Sequence, residues 1–311
     1  MEVYINEPVN LKRGACLALG SFDALHKAHL KLIDASVSFA KKNGLVSGVY
    51  SFLQRPVKNT DLNSNLSVLY TNEHRIKILE KTGVDFTYFE DFNEEFMHMP
   101  AETFIKMLKQ KFNIEYVVAG FHYRFGYKAA AGVEELKNFG KKYGFGVEII
   151  SPVKEDNILI SSTYIRNLVA NGEVERAAEF LGRKYSIYSK IDHGRKVGTN
   201  VLNIPTANFH ADKNLVLPSN GVYACFVKID KKPYAAVTNI GTRPTFNLNE
   251  ISIESHILDF DGDLYDEKLE LFFIKKLRDE KKFENSEQLK VQILSDIDKA
   301  RNLFNEIYKN N

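Results

Sequence analysis

Residues 15–29 read ACLALGSFDALHKAH, and this stretch decides the fold of the first half of the chain. The apolar run 15–19 is typical of a buried strand and Gly20 ends it, while His26 and His29 stand where an amphipathic helix begins. A helix N-terminus carries unpaired N–H groups and about half a positive charge, which makes it a ready phosphate site. Two imidazoles there can donate to phosphate oxygens and stabilise developing charge. The stretch predicts a strand–turn–helix unit that binds a nucleotide.

The spacing of the two histidines also has two plainer interpretations. A pair three residues apart can be a surface coincidence or half of a metal site. The coincidence of a strand, a glycine and a helix start at one place favours phosphate binding over both.

Composition excludes several classes of protein. The 311 residues carry a net charge of +2, so no broad basic field for nucleic acid or an acidic membrane surface is expected. The two cysteines, Cys16 and Cys225, lie in apolar runs and are interpreted as buried free thiols. No stretch approaches the ~20 apolar residues of a membrane span, and the N-terminus has no signal-peptide pattern. We expect a cytoplasmic protein.

The first half alternates strand and helix signals. Residues 101–112 place Phe104, Ile105, Leu108 and Phe112 on one helical face. Strands separated by helices predict a parallel, Rossmann-like sheet with ligands at the carboxyl ends of its strands. The predicted strands are Ala15–Leu19, Val46–Phe52, Asp85–Phe89, Tyr116–Ala119 and Val147–Ile150.

A different pattern begins after a short predicted helix at 173–181. From residue 184 to 275 strands follow one another, which predicts an antiparallel β-barrel or sandwich. An apolar stripe from Leu289 to Ile307 predicts a long C-terminal helix. We therefore expect two domains, residues 1–182 and 183–311. The turns between the strands are predicted at Asn220-Gly221, Lys232-Pro233, Arg243-Pro244 and Asp261-Gly262.

Two further motifs lie in the first half. Residues 120–126, GFHYRFG, follow a predicted strand and should lie at the same sheet edge as His26. An aromatic loop packed on the core is the plainer interpretation. Residues 161–166, SSTYIR, open a helix, and a serine there is an ordinary N-cap. The same hydroxyls and guanidinium are also suited to a triphosphate tail.

The second half carries its own polar strings. They include the sequences PTAN at 205–208, NIGTRPTF at 239–246 and LRDEKKF at 277–283. Glu254 and His256 share one face of a predicted strand. By spacing alone that face is more simply interpreted as solvated.

Together these motifs resemble the bacterial bifunctional riboflavin kinase/FAD synthetase family over nearly the whole chain. The family patterns G-x-F-D-G-x-H-x-G-H, G-x-D-F-x-F-G and S-S-T-x-I-R match 20–29, 120–126 and 161–166 in order. Its kinase patterns P-T-A-N, N-I-G-x-R-P-T-F, E-x-H and L-R-x-E-x-K-F follow at 205–283. The resemblance implies an α/β nucleotidyltransferase domain followed by a kinase β-barrel. It also implies that the enzyme makes FMN from riboflavin, and then FAD from FMN, with ATP and Mg²⁺.

The resemblance also implies roles for single residues. Glu254 would be the base that takes the proton of the riboflavin 5′-hydroxyl, and His26 and His29 would serve adenylyl transfer. Thr206 and Asn208 would hold Mg²⁺ with the ATP phosphates, and Arg278 and Phe125 would contact flavin. The remaining ATP-binding residues would be Gly20, Phe22, Asp23, Ser162, Thr163 and Arg166. Substrates and products would be riboflavin, FMN, FAD, ATP, ADP and pyrophosphate, with no nucleic acid or membrane partner.

The chain departs from the family pattern at several positions. Ala24 and Ala28 replace glycines, His122 replaces an aspartate and Arg55 replaces a histidine. The loop before PTAN, residues 198–204, has an apparent insertion, and Asp266 stands in place of a glycine. One alternative is therefore a riboflavin kinase whose first domain has lost adenylylation. Another is a non-catalytic flavin or nucleotide regulator.

Overall fold

The computed structural model describes residues 1–53, 67–192, 206–210, 212–244 and 249–308. It divides into two compact units, Met1–Ser162 and Thr163–Asn311. Its helices are α1 (Lys27–Asn43), α2 (Asn72–Leu79), α3 (Glu94–Met97), α4 (Ala101–Phe112), α5 (Val133–Tyr143), α6 (Ser162–Ala170), α7 (Val174–Leu181) and α8 (Ser286–Tyr308). Within these residues, no helix is both long enough and apolar enough to cross a membrane.

The first unit is built on a parallel sheet in the order β1-β4-β3-β2-β5-β6. The central strand β2 is buried at every position, because helices cover both faces of a parallel sheet. The predicted α/β architecture is confirmed, and the edge strand β1 was not predicted. The strands are β1 (Glu2–Ile5), β2 (Ala15–Leu19), β3 (Val46–Phe52), β4 (Phe86–Glu90), β5 (Ile114–Gly120) and β6 (Gly146–Ile150), followed by the hairpin β7 (Lys154–Glu155) and β8 (Ile158–Leu159).

The second unit contains a closed antiparallel barrel in the order β10-β13-β12-β11-β14-β9. In β11 the side chains of Tyr223 and Cys225 are fully buried, and Ala224 and Phe226 pack with Ala300 of α8. Alternation along the strand therefore gives one side to the barrel interior and the other to α8. The strands are β9 (Ser186–Asp192), β10 (Ala207–Phe209), β11 (Gly221–Ile229), β12 (Lys232–Pro244), β13 (Asn249–Ile257) and β14 (Lys268–Arg278).

Two of the predicted turns are wrong. The chain turns between β11 and β12 at Asp230 and Lys231, which have φ of 48° and 67°. Pro233 instead lies within β12 opposite Lys228, and the pairing of β12 with β13 begins only at Ala236. A proline is tolerated at this position because β12 is paired with β11 on one side and is not yet paired with β13 on the other. Arg243 and Pro244 are the last two residues of β12 and pair with Glu250 and Asn249 of β13, so they belong to the strand rather than to a turn.

The division between the units falls earlier than the predicted boundary at residues 182–183. Gly182 ends α7 in the left-handed conformation with φ of 76°, as the sequence predicted for a helix stop. Helix α7 belongs to the second unit, where Glu175 forms an ion pair with Lys275 of β14 at 3.0 Å. The assignment of 1–182 and 183–311 as functional domains stays a prediction.

Candidate functional site

The order of the parallel sheet places a topological switch point at the carboxyl ends of its central strands, β2 and β5. The chain proceeds from β2 to β3 and β4 on one side, and to β5 and β6 on the other. Such a switch point is where open α/β sheets bind ligands. Leu19 of β2 pairs with Ala119 of β5, so Gly20 and Gly120 lie at adjacent strand ends. The prediction that the first two motifs share one sheet edge is confirmed.

His26 and His29 are held as a unit at the start of α1. His26 is 4% exposed and caps the helix, since the backbone N–H of His29 donates to its Nδ1 at 3.2 Å. The two rings stack with centroids 3.7 Å apart. A ring that accepts at Nδ1 carries its proton at Nε2, so His26 has its remaining nitrogen as a donor. The pair is a preorganised set of imidazoles at a helix N-terminus.

The turn before the helix is held by its own buried side chains. Phe22 has φ of 46°, and its ring contacts His29 edge-on at 5.2 Å. The carboxylate of Asp23 is 5% exposed and accepts from the backbone N–H of Leu69 at 3.0 Å. Asp23 therefore organises the turn from within, an arrangement that its position in the motif did not reveal.

The alanine at position 24 fits this turn without a left-handed backbone. Phe22 and Leu25 have positive φ, at 46° and 44°, whereas Ala24 and Ala28 do not. Ala24 is fully buried, so its methyl group packs against protein. The backbone conformation at Ala24 therefore does not require a glycine.

The motif at 120–126 divides between core and surface. Phe125 is 6% exposed and packs against Phe104 and Phe139, which matches the plainer interpretation of this loop as part of the core. Phe121 is exposed and contacts the ring of His122 at 4.7 Å. A role for Phe125 in flavin binding stays a prediction, and its burial means that its ring is covered by side chains of this unit.

The motif at 161–166 straddles the division between the two units. Ser162 begins α6 and closes the first unit, while Thr163 and Arg166 lie in the second. Ile165 is fully buried, and the side chains of Ser162 and Arg166 are partly exposed. The predicted contacts of these polar groups with ATP stay predictions.

The barrel aligns the predicted kinase residues in one row. Glu254 of β13 stands directly opposite Asn208 of β10 and opposite Asn239 of β12. The row continues to Val222 of β11 and then to Arg278 of β14. Directly opposed residues of antiparallel strands share one face of the sheet. The barrel therefore brings a carboxylate, two amides and a guanidinium onto one surface.

This row borders a pocket of about 490 Å³ between the barrel surface and the first half of α8. Arg278 is fixed in its wall, because its Nε donates at 2.9 Å to Asp296 of α8, a carboxylate that is 1% exposed. Gln292 donates to the other oxygen of Asp296 at 3.0 Å. The pocket is lined by Thr206, Val222, Val237, Asn239, Glu254, His256, Arg278, Glu280, Lys281, Phe283, Leu289, Ile293, Asp296 and Ile297.

Sequence reasoning missed Asn239 and Asp296 as parts of this site. Asn239 opens the NIGTRPTF string, so its position in a motif was the available signal. Asp296 interrupts the apolar stripe of the C-terminal helix, and a carboxylate on a buried face requires a partner. Several predicted positions lie outside the described residues: Arg55, the loop 198–205, and Thr245 and Phe246.

Family models match both halves of the chain. The model described as FAD synthetase matches residues 9–164, and the model described as riboflavin kinase matches residues 181–304. The bifunctional riboflavin kinase/FMN adenylyltransferase of Buchnera aphidicola from Schizaphis graminum is 35% identical, covering 96% of this chain and 97% of its own. The chain belongs to the bifunctional riboflavin kinase/FMN adenylyltransferase family.

Other members of the family also match this chain over nearly its whole length. The Bacillus subtilis enzyme of that name is 30% identical and covers 99% of both chains. The Escherichia coli K12 enzyme is 30% identical and covers 94% of both. A solved structure from Streptococcus pneumoniae, described as a macrolide-efflux protein, superposes with a TM-score of 0.86 at 28% identity over 97% of this chain. Its description belongs to that protein, and its similarity here is one of fold.

Membership of the bifunctional riboflavin kinase/FMN adenylyltransferase family establishes two activities. The chain phosphorylates riboflavin to FMN and transfers an adenylyl group from ATP to FMN. Both activities consume ATP. The interpretations as a kinase alone and as a non-catalytic regulator are therefore not favoured.

Proposed function

We propose that riboflavin is phosphorylated in the pocket of the barrel, with Glu254 as the general base. The observation that carries this proposal is the row in which Glu254 stands between Asn208 and Asn239, opposite both. The riboflavin 5′-hydroxyl is a neutral alcohol and needs a base when it attacks phosphorus. The hydroxyl oxygen bonds to the γ-phosphorus, the bond to ADP breaks, and Glu254 takes the proton.

Arg278 and the two asparagines orient the groups around that base. Arg278 lies at the far end of the row and is anchored by Asp296, so its guanidinium is a fixed positive charge beside the pocket. Such a charge suits either the phosphates or a polar edge of the flavin. Helix α8 contributes Leu289, Ile293 and Ile297, an apolar wall fitted to a flat aromatic ring.

Thr206 and Asn208 are the residues proposed to hold Mg²⁺ with ATP. Hydroxyl and amide oxygens are donors that Mg²⁺ accepts, and it keeps phosphate and water among its ligands. Within the described residues, no cluster of three His, Cys, Asp or Glu could hold a metal by itself. The two neutral donors therefore fit a cation that arrives with the nucleotide, where it would neutralise phosphate charge.

Adenylyl transfer is proposed at the sheet edge that carries His26 and His29. The phosphate of FMN has a second pKa of about 6, so near pH 7 it is already a nucleophilic anion and needs no base. Its oxygen bonds to the α-phosphorus of ATP and pyrophosphate leaves. Imidazole donors at the start of α1 stabilise the charge that builds up on the phosphates. Gly20, Phe22 and Asp23 shape the turn, and Ser162, Thr163 and Arg166 are the further residues proposed, from their motif, to bind ATP.

We also infer that the enzyme works in the cytoplasm, without a nucleic-acid or membrane partner. Both cysteines of the chain are free and fully buried, which suits a reducing compartment. Burial raises the pKa of the Cys16 thiol to about 11 and that of Cys225 to about 12, so both stay protonated at neutral pH.

The base assignment is tested with Glu254→Gln. We expect FMN formation from riboflavin to fall by about 10²- to 10⁴-fold, because the amide cannot accept the proton. FAD formation from supplied FMN should be unchanged. Both products are measured by chromatography after incubation with ATP and Mg²⁺.

Glu270→Gln serves as the matched control. Glu270 lies on β14 of the same barrel and accepts from Ser186 at 2.8 Å, and it is not among the residues that line the pocket. Its variant should keep both activities. A Glu254→Gln enzyme with the wild-type kinase rate would rule out this carboxylate as the base.

A further inference from the structure

A buried arginine, Arg75 of α2, lies beneath the adenylyl-transfer turn. Its side chain is 5% exposed, and none of the motifs described above contains it. Burial lowers its pKa to about 10, an effect that the nearby charge of Asp23 partly offsets, so the guanidinium is charged at neutral pH. A buried charge is costly unless its hydrogen bonds are made. The partners of Arg75 therefore indicate what it does.

Those partners lie at the ends of three neighbouring strands. The Nη2 group donates at 2.8 Å to the carbonyl oxygen of Ser21, just after β2, and Nη1 donates at 2.8 Å to that of Phe52, the last residue of β3. The guanidinium also stacks 4.8 Å above the ring of Phe89 in β4. One side chain thus ties together the carboxyl edge of the sheet on one side of the switch point.

The carbonyl of Ser21 is the contact that reaches the reacting groups. It belongs to the peptide unit that joins Ser21 to Phe22, and Phe22 holds a left-handed φ of 46°. Such a conformation in a bulky residue persists only where its surroundings hold it. The ring of Phe22 in turn contacts His29. Arg75 is therefore connected to the imidazole of His29 through the Ser21–Phe22 peptide and the ring of Phe22.

Ser51 supports the same carbonyl from a second direction. Its hydroxyl donates to the Ser21 oxygen at 2.9 Å and also accepts from Nη2 of Arg75. Asn72 accepts from Nη1 at 2.9 Å and orients the guanidinium. Lysine, whose donors all lie on one compact ammonium, cannot reproduce the spacing of the two guanidinium nitrogens that reach these carbonyls.

We propose that Arg75 is a positioning residue for FMN adenylylation, acting by holding the Ser21–Phe22 peptide so that His29 faces the nucleotide. This inference rests on the proposed adenylyl-transfer site. It assigns Arg75 no contact with substrate.

The experiment compares Arg75→Lys and Arg75→Met with wild type in both reactions of the full chain. We expect kcat for FAD formation from FMN to fall by about 10- to 100-fold, because small misplacements of catalytic groups have effects of this size. The riboflavin kinase rate of the same preparations should be unchanged. A purely structural role would lower the melting temperature and leave kcat per folded molecule at the wild-type value.

Arg13→Met is the matched control. Arg13 also donates to a backbone carbonyl, that of Gly44 at 3.2 Å, but it lies before β2 at the opposite edge of the sheet. Its variant should keep both rates. Ser51→Ala removes the second donor to the Ser21 carbonyl and should also lower kcat for adenylylation. This variant provides the test if an Arg75 variant does not fold.

Three results would overturn the inference. The first is a wild-type kcat for adenylylation in folded Arg75→Lys and Arg75→Met. The second is an equal loss of both activities in these variants. The third, which applies where the Arg75 variants do not fold, is a wild-type adenylylation rate in Ser51→Ala. His29→Ala in the same assay separates this failure from that of the proposed site. If His29→Ala is inactive while the folded Arg75 variants keep the wild-type kcat, only the inference falls, whereas an active His29→Ala removes the proposed site itself.

Discussion

At the scale of single residues, the pair Arg278–Asp296 links the pocket proposed for the kinase reaction to the stability of the barrel unit. Asp296 is 1% exposed and accepts from both Arg278 and Gln292. In Asp296→Asn the guanidinium loses its anionic partner, which should cost about 1–3 kcal/mol of unfolding free energy. The freed Arg278 should also raise the KM of the kinase reaction. Urea unfolding and steady-state kinetics measure the two effects.

Asp259→Asn is the control for that change. Asp259 also pairs with an arginine of α8, Arg301, but the two side chains are 67% and 43% exposed. Exposed ion pairs contribute little because water screens them. We expect near-wild-type stability and KM. Equal effects in the two variants would contradict a special role for the buried pair.

Some residue-level properties could be predicted from the sequence and others could not. The family motifs identified Glu254 and the two histidines as candidates. The hydrogen bond that makes His26 a helix cap was not predictable, because a histidine at that position can equally point to solvent. Arg75 gave no signal, since a single arginine in a polar helix is usually exposed. Both His26 and Arg75 are buried by tertiary contacts, which the local sequence does not encode.

At the scale of elements, a small aromatic cluster packs helix α8 against the barrel. Phe226 of β11 stacks on Phe272 at 4.4 Å and contacts Phe304 and Tyr308 of the helix. Phe226→Ala should cost about 3–5 kcal/mol, the usual effect of emptying a buried aromatic site. Because the other half of α8 lines the pocket, kinase activity should fall with it. Thermal unfolding and the kinase assay test this.

Val291→Ala tests the specificity of that result. Val291 lies on the same helix and is 64% exposed, so its truncation removes little buried surface. Its stability and kinase rate should stay near wild type. If Phe226→Ala were as mild as Val291→Ala, the helix would not depend on this cluster.

Elements with strong periodicity were predicted well, and those defined by pairing were not. The sequence predicted α4 and α8 from their apolar stripes, and both are present. The edge strand β1 has only four residues of mixed burial, too short for a periodic signal. The alignment of Asn208 with Glu254 depends on pairing between strands far apart in the chain. No local pattern specifies that register.

At the scale of the whole molecule, the two activities should be separable by single substitutions and complementary in a mixture. Glu254→Gln chains should make FAD only from FMN, and His29→Ala chains should make only FMN from riboflavin. A mixture of the two variants, given riboflavin and ATP, should form FAD through released FMN. Product analysis over time measures this.

The chain that carries both substitutions is the control for the mixture. It should form neither FMN nor FAD. Failure of the mixture to make FAD, with each variant active in its own reaction, would contradict exchange of FMN through solution.

The kinase site proposed on the row of opposed barrel residues depends closely on the alignment of the strands. Successive side chains of a strand point to opposite faces, so a slip of β13 by one residue would turn Glu254 inward and bring the buried Ser255 to the surface. Such a slip removes the carboxylate from the row, while Asn208, Asn239 and Arg278 on the other strands keep their places. With the site proposed on this row, the rate of riboflavin phosphorylation should report the fraction of molecules in which β13 has the correct register.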